Sequence, residues 1–225
     1  MKKFLVAVFI GITAFANGQQ TENRSVTSFK GVKVAEGIDA YLKKGTKEAI
    51  RVEVTGVKLG DVITEVSGDY LKIHMEEGSY RNQVVKVYVT YVEINKLSAS
   101  SASNIFADGP IKTKRLTLSA SSAGTIDIQI EVDELEASAS SAADLELKGK
   151  ARSIEIDASS AGEVDAYELT VEAADVEVSS AGSAKVSVTK DIRAEASSGG
   201  SIRYRGNPER SNTNSSSGGS VKKSN

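Results

Sequence analysis

No cysteine occurs among the 225 residues. Disulfides and thiolate metal sites are therefore excluded as supports for the fold, even in an oxidising compartment. Tryptophan is also absent, aromatic residues make up 5%, and proline occurs twice. Such a chain cannot fill a thick globular centre with rings; Val, Ile, Leu and Ala suit thin layers stacked in register. Neither sign of charge prevails, with 28 basic against 30 acidic residues. No basic stripe with interleaved aromatics marks a nucleic-acid surface. The one histidine, His74, leaves little material for general-base chemistry.

Long apolar runs are missing too, except at the start. Met1-Lys2-Lys3 is followed by an apolar stretch from Phe4 to Ala16, then by Ala16-Asn17-Gly18. A positive start, a short apolar run and small residues are the pattern of an export signal, with cleavage expected before Gln19. The run is shorter than the roughly 20 residues a membrane-spanning helix needs. No cysteine follows it, so a lipid anchor on an N-terminal Cys is not expected, nor is a transmembrane segment in the mature chain. Residues 1–18 are thus assigned to a signal peptide and 19–26 to a loose polar leader, the mature protein being placed in the periplasm or at the cell surface.

What the chain does have is a phrase that returns seven times. It reads SASSAS at 98–103, SASSAG at 119–124, SASSAA at 138–143, DASSAG at 157–162, VSSAG at 178–182, ASSGG at 196–200 and SSSGG at 215–219. Successive second serines, Ser101, Ser122, Ser141, Ser160, Ser180, Ser198 and Ser217, are 21, 19, 19, 20, 18 and 19 residues apart. A period near 19–20 marks a repeat architecture. Within one unit, Leu116, Leu118, Ala120, Ser122, Gly124, Ile126 and Ile128 alternate with polar residues. Side chains of one parity share one face of a strand, so this set is expected inside.

On that count the second serines form an inner hydroxyl ladder of roughly 29 Å, at about 4.8 Å per strand. The first serines then form an outer row: Ser100, Ser121, Ser140, Ser159, Ser179, Ser197 and, in the last phrase, Ser216. The first six are the candidate binding residues. Upstream, Val32/Val34, Ile38/Ala40/Leu42, Ile50/Val52/Val54, Val62/Val66, Leu71/Ile73/Met75 and Val85/Val87/Val89/Tyr91 alternate between turn residues, the strand signature. Ser67-Gly68-Asp69 reads as a turn, and Lys222 and Lys223 on the last strand are expected to discourage end-to-end pairing. The fold class is all-β, a parallel β-helix-like solenoid with coils of about 19–20 residues, capped by an N-terminal β region. It is assigned to one domain over 27–223, an N-terminal β part over 27–95 and a serine-rich repeat part over 96–223.

Phe29-Lys-Gly-Val-Lys-Val-Ala-Glu-Gly-Ile-Asp-Ala-Tyr-Leu-Lys-Lys-Gly45, the Leu71-x-Ile73 strand, the serine repeats and Gly206-Asn207-Pro208 occur in that order. In this arrangement the chain resembles the putative auto-transporter adhesin, head GIN domain family, a domain of unknown biochemical function common in exported proteins of the Bacteroidetes. One departure is Gly37-Ile38-Asp39, where the motif that names the family has Gly-Ile-Asn; Asp caps a turn as Asn does. The resemblance implies an exported, right-handed β-helix-like protein and brings no receptor or catalytic residue with it.

The sequence holds no complete catalytic constellation. Gly-x-Ser-x-Gly is absent, and His74 has outward parity. Ser-x-x-Lys occurs at Ser187–Lys190 and Ser220–Lys223 without the other elements of that enzyme class. Asp127, Asp144 and Asp165 follow successive serine phrases, and Glu131, Asp133, Glu134 and Glu136 cluster at a turn. Solvated faces explain these acids, and the calcium-binding nonapeptide of β-rolls is missing. Tyr70, Tyr80, Tyr88 and Tyr91, beside Arg81, either line a sugar-binding face or cover a sheet end. The expected function is an exported, non-enzymatic adhesin or cell-envelope binding module, without metal or cofactor. Its partner would be a glycan or envelope component, met by the polar lateral face. The alternatives are a polysaccharide-acting enzyme with carboxylates on one lateral face, or a purely structural envelope protein. Oligomeric state is left open.

Overall fold

The computed structural model describes residues 18–80 and 83–224. The export-signal reading of 1–18 lies, but for Gly18, outside the described residues, as does Arg81.

Strands account for nearly all regular structure. The N-terminal part holds β1 (Gln20–Arg24), β2 (Gly31–Val34), β3 (Asp39–Lys44), β4 (Ala49–Thr55), β5 (Val62–Ser67), β6 (Tyr70–Met75) and β7 (Val84–Tyr91). Next come β8 (Lys96–Ala99), β9 (Asn104–Asp108), β10 (Ile111–Ala120), β11 (Thr125–Ala139), β12 (Asp144–Ala158) and β13 (Glu163–Val178). The chain finishes with β14 (Ser183–Ala196), β15 (Ser201–Arg205), β16 (Arg210–Ser215) and β17 (Ser220–Lys223). Together they wind a β-solenoid of about seven turns with a curled half-barrel sheet.

Each coil passes through a tight corner at the serine phrase. Before the corner, β2, β8, β10 and the later halves of β11–β14 stack in parallel, ending on β16. After it, β3, β9 and the earlier halves of β11–β14 do the same, ending on β15 and β17. A second bend lies inside the long strands, and it shows as a slip in burial. Ile126, Ile128, Ile130 and Val132 are buried on even numbers, then Leu135, Ala137 and Ala139 on odd ones. The two residues between, Asp133 and Glu134, turn the strand; Arg152–Ser153 and Glu172–Ala173 hold the same place one and two coils on.

Chain order and stack order differ at the N-terminal end. The coil β2–β3 lies between β6–β7 on one side and β8–β9 on the other. The intervening chain loops back to make that outer coil and then covers it: β5 pairs antiparallel with β6, β4 with β7, and β1 with β4. Residues 20–24 are therefore a strand and not a loose leader. Arg24 fastens that edge, its guanidinium donating to the carbonyls of Leu59 at 2.7 Å and Val62 at 2.6 Å.

The inner serine ladder is absent, and the reason lies in the backbone. Ser122 and Ala123 both have positive φ, 51° and 59°, and the Gly124 N–H donates to the Ser121 carbonyl at 2.9 Å. Two left-handed residues closed by such a bond make a type I′ turn. The same pair recurs at Ser101-Ala102, Ser141-Ala142, Ser160-Ala161 and Ser180-Ala181. All of these second serines stand exposed on the corner. A turn of two residues preserves the parity of its flanks, so counting alone carried Ser122 inward while the chain swings it out. The inner neck position belongs to the residue after the turn, Gly124, Ala143, Gly162 or Gly182. A Cβ on Gly162 would stand 2.3 Å from the Ala139 carbonyl oxygen of the adjacent coil. The ladder is made of backbone: Ala123 N–H donates to the Ser141 carbonyl at 3.0 Å, Ala142 to Ser160 at 3.1 Å, and Ala161 to Ser180 at 3.1 Å.

Candidate binding surface

The first serines, Ser100, Ser121, Ser140, Ser159, Ser179 and Ser197, form one row, each as the last residue before its corner. They are half-buried. Their main chain is engaged on both sides: Ser121 N–H donates to the Ala99 carbonyl at 3.0 Å, and the Ser121 carbonyl closes the turn. Ser179 and Ser197, with the exposed Ser216, border a shallow groove of about 250 Å³ shared with Asp157, Glu177 and Glu195.

The acidic residues singled out in the sequence are mostly paired across coils. Register sets Lys112 beside Glu131 and Arg115 beside Glu134, and they meet at 2.7 and 2.5 Å. Arg152 reaches Asp133 at 2.8 Å. Lys185 lies 2.9 Å from both Glu163 and Asp165, which hold its ammonium well above its ordinary pKa through hydrogen bonds. Asp144 is exposed, yet its carboxyl titrates higher than usual. Partial desolvation is the first cause, and the charges of Glu163, Glu146 and Asp165 add to it. No group of three or more His, Asp or Glu among the described residues is placed to hold a metal ion.

The tyrosines do not converge. Tyr91 is buried and Tyr70 lies under Lys33 and Lys96. Tyr88 stacks on Tyr41 with ring centroids 5.2 Å apart, and Tyr41 on Phe106 at 5.3 Å. Arg51 covers the Tyr88 end of that stack at 4.2 Å from the ring centroid. Rings facing one another across β7, β3 and β9 lock the inserted coil in register. This ladder escaped the sequence reading, because its members are far apart in the chain and only the stack order unites them.

Nucleophile geometry is wanting as well. His74 Nδ1 lies 2.9 Å from the Met75 carbonyl, which makes that nitrogen the donor. Ser187 Oγ donates to the Tyr167 carbonyl at 2.6 Å while Lys190 pairs with Glu172 at 2.7 Å, so the Ser-x-x-Lys spacing joins nothing.

Larger grooves lie along the second bend, two of them on adjoining stretches. One, of about 510 Å³, has small residues Ser153 and Ala173 in its floor, with Arg115 and Glu134 at one end and Asp191 and Arg193 at the other. Glu136, Glu155 and Asp175 also face it, and one Asp175 oxygen is shut from solvent without a partner. The other, of about 370 Å³, is lined by Lys30, Lys44, Lys112 and Lys114 with Glu93, Asn95 and Thr113. These grooves were invisible in the sequence because residues far apart in the chain line them, in the larger one around the small Ser153 and Ala173 of successive coils.

No helix among the described residues is long and apolar enough to cross a membrane. Comparison with functionally curated proteins gives no match. Among solved structures, the fold is shared by a putative adhesin from Bacteroides fragilis, with TM-score 0.84 and 18% identity over 93% of this chain and 98% of that one. A putative adhesin from Parabacteroides merdae follows with TM-score 0.77 and 18% identity, covering 92% of this chain and 97% of that one. A putative lipid binding protein from Parabacteroides distasonis gives TM-score 0.71 and 19% identity over 92% and 97%. At these identities the likeness speaks for the fold alone. The family described as putative auto-transporter adhesin, head GIN domain, matches residues 28–208, from just before β2 to the turn after β15. The chain belongs to that family.

Proposed function

We propose that this protein is an exported, non-enzymatic binding module of the cell envelope, an adhesin that holds a polysaccharide against the side of its solenoid. The observation that carries this reading is a run of open grooves along the second bend, two of them of about 510 and 370 Å³, crossing several coils with charged rims. A repetitive ligand suits a surface that repeats once per coil, at about 4.8 Å. The outer serine row from Ser100 to Ser197 would add hydroxyls beside the opposite corner, where the groove of about 250 Å³ lies. The named adhesins of the same fold agree with this reading.

Retention of envelope polysaccharide on the immobilised mature chain, and on a glycan array, is the test. Saturable capture is expected. A blank result on both would remove the binding role and leave a purely structural envelope protein.

A second reading draws on one specific feature. Glu136, Glu155 and Asp175 face the larger groove together with Arg193, and paired carboxylates are what glycoside hydrolysis requires. Release of new reducing ends from a captured polysaccharide, abolished by Glu155→Gln, would establish that reading in place of simple binding.

A further inference from the structure

We infer that the lysine-lined groove at the N-terminal part of the second bend is a binding site for an acidic glycan, one carrying carboxylates at intervals along its length. The inference rests on the binding-module reading and gives it a ligand class. Lys30 precedes β2, Lys44 ends β3, and Lys112 and Lys114 lie on β10, so four lysines from three parts of the stack line one groove of about 370 Å³. Glu93 is the one carboxylate among the residues lining it. Lys30 approaches Glu93 only at 3.8 Å, and Lys112 pairs outside the groove with Glu131 at 2.7 Å. Among the described residues, no carboxylate comes within ion-pair distance of Lys44 or Lys114. A local excess of positive charge in a chain of net charge −2 favours an anion there.

The form of the site narrows the ligand. Lysine is a point charge on a flexible stem, and the groove carries no arginine fork for bidentate capture of a single phosphate. Charge spread over three parts of the stack fits a ligand whose own charges are spread. Neutral hydrogen-bonding residues are also present, since Thr113 and Asn95 line the groove. Acidic charge with many hydroxyls is the chemistry of a uronic-acid chain.

The test is calorimetric titration of the mature chain with hexagalacturonate, neutral cellohexaose and inorganic phosphate at low salt, repeated at higher salt. Hexagalacturonate is expected to bind, to weaken as salt rises, and to outcompete both other probes. Lys44→Gln with Lys114→Gln should weaken it by about tenfold, which corresponds to roughly 1.4 kcal/mol. Lys58→Gln with Lys222→Gln makes the same change in net charge away from the groove and should leave binding within a factor of about two. Equal loss in both double variants, or equal affinity for cellohexaose or phosphate, overturns the site. Should the Lys44/Lys114 variant still capture envelope polysaccharide as the parent does, the groove fails while the binding-module reading stands. If the parent captures nothing, both fall.

Discussion

The Gly37 amide donates to the carbonyl of Ser101 at 2.9 Å, and this bond extends the serine corners to one corner that contains no serine. Glu36 and Gly37 have φ of 65° and 70°, the same left-handed pair as Ser101 and Ala102 above them. Asp39, just past this corner, accepts from Asn104 Nδ2 at 2.7 Å in the next coil. The Gly-Ile-Asp segment is thus one more turn of the stack. Its glycine takes the second left-handed position, which costs an L-residue about 1–2 kcal/mol.

That cost predicts a gain. Ala123, Ala142 and Ala161 occupy the position that Gly37 occupies, at φ 59–60°. Replacing each by glycine removes the left-handed penalty at an entropic cost of roughly 0.5–1 kcal/mol, for a net gain of about 0.5–1 kcal/mol per site. The triple variant should melt roughly 3–12 °C higher by calorimetry, at about 2–4 °C per kcal/mol in a chain of this size. Ser160→Val places a β-branched residue at φ 50° and should lower the melting temperature. Unchanged melting in both would remove strain from the account of the corner.

Gly149 meets a harder limit than the corners do. Its φ is 112°, and a Cβ would sit 2.1 Å from the Ile130 carbonyl oxygen, in the backbone of the adjacent strand. Backbone atoms cannot step aside as a flexible side chain does. Gly149→Ala should cost about 1–3 kcal/mol and lower the melting temperature by roughly 2–12 °C. A melting temperature equal to that of the parent would show that β11 and β12 part there without cost.

The edge held by Arg24 tests the N-terminal cap. Arg24 joins β1 to the segment before β5 through the Leu59 carbonyl, and to β5 itself through the Val62 carbonyl and Thr64 Oγ1, the last at 3.1 Å. Its side chain is 18% exposed, so these charge-assisted bonds are largely shielded from water. Bonds of that kind contribute about 1.5–3 kcal/mol. Arg24→Ala should speed amide exchange over residues 20–24 and 59–64 by at least about tenfold. Amides of β11–β13 should keep their protection. Uniform acceleration would mean that the cap and the solenoid open together.

The repeat part was legible because it obeys a local rule. Leu116, Leu118 and Ala120, or Ile154, Ile156 and Ala158, alternate strictly, and every one is buried. The Ser67–Tyr70 hairpin also announced itself through Gly68 at φ 60°. The place of Ser122 was not legible, since parity is blind to a two-residue turn. Nor was the stack order, because Val32-x-Val34 and Leu71-x-Ile73 carry equivalent patterns and only long-range pairing decides that β2 lies inside β6. The grooves share that difficulty: Lys30 and Lys114 are neighbours only once the coil β2–β3 has been inserted between β6–β7 and β8–β9.

Asp144 gives the solenoid a pH dependence of definite sign. Desolvation first, then the charges of Glu163, Glu146 and Asp165, raise its folded-state pKa above the ordinary value of 3.8, and Lys185 opposes them in part. A carboxyl that binds its proton more tightly when folded stabilises the fold once protonated. That contribution is complete below the ordinary value and is lost as pH rises through the raised one. At neutral pH Asp144 is charged in both states and costs the folded one. Asp144→Asn should therefore raise the urea midpoint at pH 7, with an advantage that shrinks as pH falls through the raised value and is gone below about 3.9. High salt should remove only the part due to neighbouring charges, since screening does not restore lost hydration. A difference between variant and parent that stays constant from pH 7 to the acid limit would show that packing, not ionisation, sets the effect.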